Sequence, residues 1–414
     1  MVMASKSKQQ SQRVAQRKES AFLAVVIAIV ASLLALLQNR YGQFSDIRGF
    51  YNMHFSDGQH HWPFSTHTLL GAAESIHPVE YPALTGLVMW LLSFFIEPAQ
   101  FAWVDYFRLT ATFHIALFAL AAFLIKKLAG AKWAIIFALS LPVLYSLNRN
   151  WDIWAVVTMI WAIYLFEKGK TKQSAIWLAV SIATKFFPLV LLFPIAIYYF
   201  RKKELKQFFI YFAYTVGAWV LINLPFALIN FHGWSYFYEF SFDRAIGSAS
   251  VWEVASKIGT PIPTTDIMFY ALNLGIFALL GIYLLKSKLP VPLIESSFLT
   301  LFAFILFNKQ YSMQYIIWLS ALAVIAMSRL SQKKQVTMIY AYVVWQIADL
   351  AFQYGFFQGI LTGMYAGTET PASPEISGMT FGVIGVIRYI VAVGFAFLLA
   401  KFLYDEKKAT APAK

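Results

Sequence analysis

Long apolar runs alternate with short polar segments along the whole chain. Most runs approach the ~20 residues that a helix needs to cross a bilayer. We therefore predict an all-α fold, a polytopic bundle of transmembrane helices with about 11–13 spans. No soluble insert interrupts the runs, so one membrane domain is expected over 21–404, between a disordered basic tail at 1–20 and a second tail at 405–414.

Basic clusters between the runs indicate the orientation. Residues 126–127, 201–203 and 407–408 are such clusters, and the positive-inside rule places them in the cytoplasm. The run at 21–37 follows the basic tail without a small-residue cleavage site, so it predicts an uncleaved first helix with a cytoplasmic N-terminus. A multi-pass protein of the cell membrane is expected.

The first loop, residues 40–80, is the most polar segment and is expected on the extracytoplasmic face. A loop this long between spans is often functional. It holds five of the seven histidines, and four of them, together with Asp57, could supply metal ligands: His54, His60, His61 and His67. Their spacing matches no zinc signature, and histidines at a wet interface are the alternative. We expect no metal.

A second informative stretch is residues 174–200, which are apolar between two basic segments. Both ends are expected in the cytoplasm, so the chain must enter the membrane and return. Two helices of about 13 residues reach only ~20 Å, which places Lys185 and Pro188 at a tip inside the membrane. An ammonium there costs roughly 2.5–3.5 kcal/mol. Lys185 is therefore a functional cation suited to a lipid phosphate, or half of an ion pair.

Residues 81–126 contain a conflict. Passing from an extracytoplasmic Pro82 to a cytoplasmic Lys126 needs an odd number of crossings, yet 81–96 and 106–125 both resemble spans. Either one of them is a partial span, or Lys126 lies outside.

Two carboxylates stand out around the first loop. Asp46 lies near the expected membrane surface, where a raised pKa would suit a general base. The alternative is a carboxylate that pairs with Arg48 or caps a short helix. Glu80 precedes Tyr81 and Pro82 at the start of the next run. It either lies at the rim of a cavity or stabilises a helix N-terminus.

The segment 148–152 is expected on the same face. Arg149 and Asp152 either face a cavity, with Trp151 and Trp154 stacking on a sugar, or serve as a snorkelling side chain and a helix cap.

The segment 308–315 joins two later runs. Lys309 breaks the positive-inside pattern and is a second candidate for holding phosphate, with Tyr311 and Gln314 as candidate substrate-binding residues. The alternative is an interfacial belt of aromatic side chains.

Composition narrows the class of protein further. Of the 414 residues 59% are hydrophobic and 13% charged, about half the charge of a soluble domain. The net charge of +13 resides in the loop clusters, so no nucleic-acid partner is expected. The chain has no cysteine, which excludes disulfides and thiolate metal sites.

Five motifs follow one another on the expected extracytoplasmic face: SDI at 45–47, EYPALTG at 80–86, NWD at 150–152, TKFFPL at 184–189 and NKQYSMQYIIWL at 308–319. Together they resemble the GT-C superfamily of membrane glycosyltransferases, and more narrowly glycosyltransferase family 87, which includes polyprenol-phosphate-mannose-dependent mannosyltransferase-like membrane proteins of actinobacteria. The similarity extends from about Tyr41 to Ile325. Met313 departs from the family pattern, which usually has Pro there, and this affects helix entry more than chemistry.

This resemblance implies an inverting hexosyltransferase that takes a sugar, commonly mannose, from a polyprenyl-phosphate donor. It makes Asp46 the general base toward a lipid or glycan acceptor. Lys185 and Lys309 would stabilise the departing phosphate, with Arg149 as a weaker candidate, and Glu80, Tyr81 and Asp152 would line the cavity. The leaving group is already ionised, so no cofactor is required. Donor, acceptor and membrane lipids are the expected partners.

The sequence is also compatible with two other classes of protein. A transporter or flippase for a lipid-linked solute would use Lys185 and the polar loops as a transport site, although no inverted repeat is visible. A non-catalytic scaffold for envelope assembly would leave Lys185 unexplained.

Overall fold

A computed structural model of the chain describes residues 22–35, 45–247, 249–260, 266–286, 293–356 and 378–410. The predicted tail at 1–20 and residues 357–377 lie outside the described residues. The last helix continues to Thr410, into the segment predicted as the second tail.

The first half of the described chain contains these helices: α1 (Phe22–Ala35), α2 (Asp46–His54), α3 (Ala83–Ser93), α4 (Ala102–Ala129), α5 (Ala131–Ala138), α6 (Leu141–Ser146), α7 (Asp152–Glu167), α8 (Thr171–Thr184), a 3₁₀ helix (Phe187–Leu191) and α9 (Leu192–Arg201). The second half contains α10 (Leu205–Ile229), α11 (Phe231–Asp243), α12 (Val251–Lys257), α13 (Asp266–Lys286), α14 (Leu293–Leu306), α15 (Tyr315–Met327), α16 (Gln332–Phe356) and α17 (Gly378–Thr410). Within the described residues, the β pairing is limited to one isolated antiparallel bridge between His67 and Ile76. The predicted all-α class is confirmed.

Helix α15 is the centre of the bundle. All of its residues from Tyr315 to Met327 are buried, as expected of a helix that is apolar on every side. The apolar helices α10 and α13 lie at the periphery instead, with only 17% and 22% of their most apolar windows buried. Such large exposed apolar surfaces suit contact with lipid. The chain is a helical membrane protein.

Four described helices are long and apolar enough to cross a membrane: α4, α10, α13 and α17. Several further apolar runs form helices of 10–17 residues, so helix length alone does not count the predicted 11–13 spans. The length of an apolar run indicates how many consecutive residues are buried in protein or lipid. It does not show where a helix breaks within the run, which is why the two counts differ.

The two short helices predicted for 174–200 are present. Helix α8 ends at Thr184, the 3₁₀ helix follows, and α9 ends at Arg201. Helix α8 has 14 residues, about 21 Å. Lys185 lies at the break between the helices, in an extended conformation.

The lengths of α3 and α4 bear on the conflict over 81–126. Helix α3 has 11 residues, about 16 Å, whereas α4 has 28 residues, about 42 Å. These lengths fit the partial-span alternative, with α3 as the short helix.

The first loop docks on the bundle through Phe64. A Cβ on Gly86 of α3 would lie 2.4 Å from the Phe64 ring, and a Cβ on Gly233 of α11 would lie 1.6 Å from the Phe64 carbonyl oxygen. Only glycine allows so close an approach at these two positions. These contacts hold the loop against α3 and α11, the two helices beside the site described next.

Candidate active site

A cavity of about 610 Å³ lies between the first loop, the α8–α9 break, α11 and the segment before α15. This volume is typical of a small-molecule site. Its polar lining includes Asp46, Glu80, Lys185, Arg244, Lys309 and Gln314. Its aromatic lining includes Phe237, Tyr238, Phe240, Phe269, Tyr270 and Phe304. One concave site thus joins ionisable groups to a broad apolar surface.

Of the nine candidate residues taken from the sequence, six line this cavity: Asp46, Glu80, Tyr81, Lys185, Lys309 and Gln314. The other three are buried beside it: Arg149, Asp152 and Tyr311.

Asp46 is held at the first turn of α2 by the 148–152 segment. The Ser45 hydroxyl donates to the carbonyl oxygen of Asn148 at 2.7 Å, and the Asp46 N–H donates to that of Arg149 at 2.7 Å. Burial raises the pKa of Asp46 to about 6, although the positive charges of Lys185 and Arg149 lower it. Its carboxylate is therefore a stronger base than an ordinary aspartate, yet still ionised at pH 7.

The pairing of Asp46 with Arg48, one alternative from the sequence, is not found among the described residues. The Arg48 guanidinium lies over the Trp103 ring instead, 3.5 Å from its centroid. Asp46 does begin a short helix, but it lines the cavity as well.

Lys185 forms an ion pair with Asp152, with 3.0 Å between Nζ and Oδ1. Asp152 begins α7 and is fully buried, and its Oδ2 accepts a hydrogen bond from Trp318 Nε1 at 3.0 Å. The Lys185 ammonium also lies 4.7 Å from the centroid of the Tyr81 ring. The carboxylate that the ion-pair alternative required is thus Asp152, although Lys185 still reaches the cavity.

Glu80 and Tyr81 lie on the wall beside Lys185. Burial raises the pKa of Glu80, and the charge of Arg244 is the largest influence that lowers it. The Tyr81 ring packs edge-on against Phe50 and Trp151, each at a centroid distance of 5.3 Å. Pro82 immediately precedes α3, so the helix-start interpretation of this motif also holds.

The 148–152 segment supports the site from behind. Arg149 is buried, with its guanidinium 4.6 Å from the centroid of the Tyr145 ring. Trp151 and Trp154 are also buried and absent from the cavity lining. Stacking of these two tryptophans on a sugar, one alternative from the sequence, does not fit their position.

The 308–315 segment divides between the cavity and the core. Lys309 and Gln314 line the cavity, and the Lys309 ammonium lies 5.6 Å from the centroid of the Phe269 ring. Tyr311 is 1% exposed and faces the other way, with its ring 4.1 Å from the Arg388 guanidinium. It supports the segment from within the core.

Arg244 is a functional candidate that the motifs did not select. It follows α11 directly and lines the cavity. The sequence offers it only as one polar group in a loop without a characteristic spacing. Its adjacency to an aromatic-rich helix is the available signal.

A buried ion pair between Asp349 of α16 and Arg388 of α17 was also missed. The distance from Arg388 Nε to Asp349 Oδ2 is 2.9 Å, and both side chains are at most 1% exposed. Arg388 Nη1 and the Tyr389 hydroxyl donate to the carbonyl oxygen of Ala249, at 3.4 and 2.9 Å. Charged residues inside apolar runs were the available signal, the same one that identified Lys185.

The histidine cluster of the first loop lies apart from the cavity lining. The rings of His61 and His67 stack at 4.3 Å, and His61 Nε2 lies 2.8 Å from Asp57 Oδ2. Burial lowers the pKa of His54 to about 3, so this ring is neutral at pH 7. In the part of the chain that the structure describes, no three metal-ligating side chains come together in a suitable arrangement.

The chain matches the model of a known protein family. The family model described as glycosyltransferase family 87 matches residues 79–288, about half of the chain. The match includes Glu80, Asp152, Lys185 and Arg244, begins after Asp46 and ends before Lys309. No curated protein matches the chain. The interpretation of Asp46 and Lys309 therefore depends on their geometry in the cavity.

Proposed function

This chain belongs to glycosyltransferase family 87, and we propose that it transfers a sugar from a polyprenyl-phosphate donor to a lipid or glycan acceptor on the extracytoplasmic face of the cell membrane. Mannose is the first candidate for the sugar. Membership of the family favours an enzyme over the transporter and the scaffold.

The proposal rests on the combination of a base and two cations in the cavity. Asp46, with a pKa raised to about 6, shares a cavity with Lys185 and Lys309. A general base and cations in one site are what an inverting transfer from a phosphate leaving group requires. The aromatic lining provides an apolar surface for the first part of a polyprenyl chain.

In the proposed step, the carboxylate of Asp46 accepts the proton of the acceptor hydroxyl. The acceptor oxygen bonds to the anomeric carbon as the bond from that carbon to the phosphate oxygen breaks. The electron pair leaves with the phosphate, whose charge Lys185 and Lys309 stabilise in a site of low dielectric. Asp152 holds Lys185 in place, and direct displacement inverts the anomeric configuration.

The test uses the purified full-length protein in detergent. Labelled polyprenyl-phosphate mannose and polyprenyl-phosphate glucose would be offered with a panel of lipid and glycan acceptors, with nucleotide-linked mannose as a donor control. We expect transfer from a polyprenyl-phosphate donor, none from the nucleotide donor, and inversion at the anomeric carbon by NMR. Transfer only from the nucleotide donor, or none from any donor, would overturn the proposed donor class.

A further inference from the structure

We propose that Arg244 binds the donor phosphate and stabilises its departure, a role that the sequence motifs assign to the two lysines. This inference deepens the proposed function and rests on it. It is based on the distribution of charge around the cavity and on the hydrogen bonds that fix the loop between α11 and α12, which carries Arg244 and is called the Arg244 loop below.

Lys185 already has a permanent counter-charge. Its ammonium is 3.0 Å from Asp152 Oδ1, and the Asp152 carboxylate is fully buried, with Trp318 bonded to its other oxygen. Leaving Asp152 for a phosphate would strand a buried carboxylate without its cation, which is strongly unfavourable. Asp152 therefore neutralises part of the positive charge that Lys185 could offer to a phosphate.

Arg244 differs from Lys185 in this respect. It is exposed and lines the cavity. Within the described part of the chain, no carboxylate forms an ion pair with it, and its guanidinium lies 5.2 Å from the centroid of the Phe240 ring. A guanidinium presents parallel N–H donors that match two phosphate oxygens at once. Arg244 thus offers both charge and geometry to an incoming phosphate.

The backbone that carries Arg244 is fixed from two directions. From the segment before α15, Gln310 Nε2 donates to the Ala245 carbonyl oxygen at 2.6 Å, and the Gly247 N–H donates to that of Lys309 at 2.9 Å. From α17, the Tyr389 hydroxyl donates to the Ala249 carbonyl oxygen at 2.9 Å. These bonds anchor the backbone of the loop while leaving the Arg244 side chain to the cavity.

The negative charge on the donor phosphate increases as the reaction proceeds, so a cation beside it interacts with it more strongly. The donor is a phosphate diester with one negative charge. When the bond to the anomeric carbon breaks, the electron pair stays on the phosphate, which becomes a monoester with up to two negative charges. A cation that faces the phosphate therefore binds the departing group more tightly than the intact donor. Such an interaction raises kcat more than it lowers KM.

The test compares Arg244→Gln and Arg244→Lys with wild type, in the full-length protein and with the polyprenyl-phosphate donor that wild type uses. Arg108→Gln is the matched control, because Arg108 is 64% exposed on α4, pairs with Asp105 and is absent from the cavity lining. We expect Arg244→Gln to lower kcat by about 10- to 100-fold with a smaller change in KM. Arg244→Lys should keep part of the rate, and the control should match wild type.

A second measurement is independent of turnover. Binding of sugar-free polyprenyl phosphate to the detergent-solubilised proteins should be at least about tenfold weaker for Arg244→Gln than for wild type and the control. If wild type transfers sugar and Arg244→Gln matches it in both kcat and lipid-phosphate binding, the inference on Arg244 is wrong and the proposed function stands. If wild type transfers nothing and binds no polyprenyl phosphate, the proposed function fails first.

Discussion

At the scale of single residues, the cavity brings together groups that lie far apart in the chain. Asp46, Glu80, Lys185 and Lys309 line one site, although they come from the two ends of the first loop, the α8–α9 break and the 308–315 segment. Each could be selected from the sequence because it is an ionisable group where the apolar pattern predicts membrane or its surface. Arg244 could be named only as one polar group of its loop, because no characteristic spacing sets it apart. Its role depends on the three-dimensional position of the loop.

The raised pKa of Asp46 predicts how the reaction depends on pH. The general base acts only when deprotonated, so activity should be complete above pH 7 and fall as the pH drops through about 6. Well below that value the rate should fall about tenfold per pH unit. Initial transfer rates between pH 5 and 8.5 test this, with recovery at pH 7.5 as the control for unfolding. A rate that stays constant down to pH 5 would contradict a base with this pKa.

At the scale of elements, the site depends on how α7 and α8 meet. Ser181 of α8 donates to the Ala155 carbonyl oxygen of α7 at 2.8 Å, and Thr85 of α3 donates to the Thr184 carbonyl oxygen at the end of α8. These bonds place Lys185 opposite Asp152. The break at Lys185 was predictable because two basic segments flank a run too short for two full spans. Its partner was not, because the α7 end approaches only in the folded bundle.

The Lys185–Asp152 ion pair predicts that a substitution of Asp152 restores the stability lost when Lys185 is replaced. Lys185→Met leaves the buried Asp152 carboxylate without its cation and should cost about 3–5 kcal/mol of stability. Adding Asp152→Asn removes that stranded charge, and its side-chain oxygen can still accept from Trp318, so the double variant should recover most of the loss. Thermal unfolding in detergent measures this. A double variant less stable than Lys185→Met would show that the pair is not the determining contact.

At the scale of the whole molecule, lipid-facing helices surround a polar cavity that opens beside the first loop. The helical class and the membrane setting could be predicted from apolar run length alone. The number of full crossings could not, because α3, α8, α9 and α14 are shorter than the bilayer core. The position of α17 was also beyond the sequence, since it reaches the Arg244 loop through Tyr389 and Arg388.

The proposed orientation can be tested with single cysteines, because the natural chain has none. Ala73→Cys in the first loop and Glu204→Cys beside the 201–203 basic cluster are both at exposed positions. In intact cells, a membrane-impermeant maleimide should label Ala73→Cys and should label Glu204→Cys only after permeabilisation. The reverse pattern would place the cavity on the cytoplasmic side and contradict the proposed orientation.

If Asp46 removes the acceptor proton in this cavity, loss of its carboxylate should slow transfer by a folded protein. Transfer by purified wild type would be compared with Asp46→Asn and with Asp105→Asn, a control carboxylate that is 67% exposed on α4. Asp46→Asn should lower kcat by about 10²–10⁴-fold. Its unfolding temperature at pH 7.5 should not fall, because a half-buried charge is removed. A folded Asp46→Asn protein that transfers sugar as fast as the Asp105→Asn control would contradict a general-base role for Asp46.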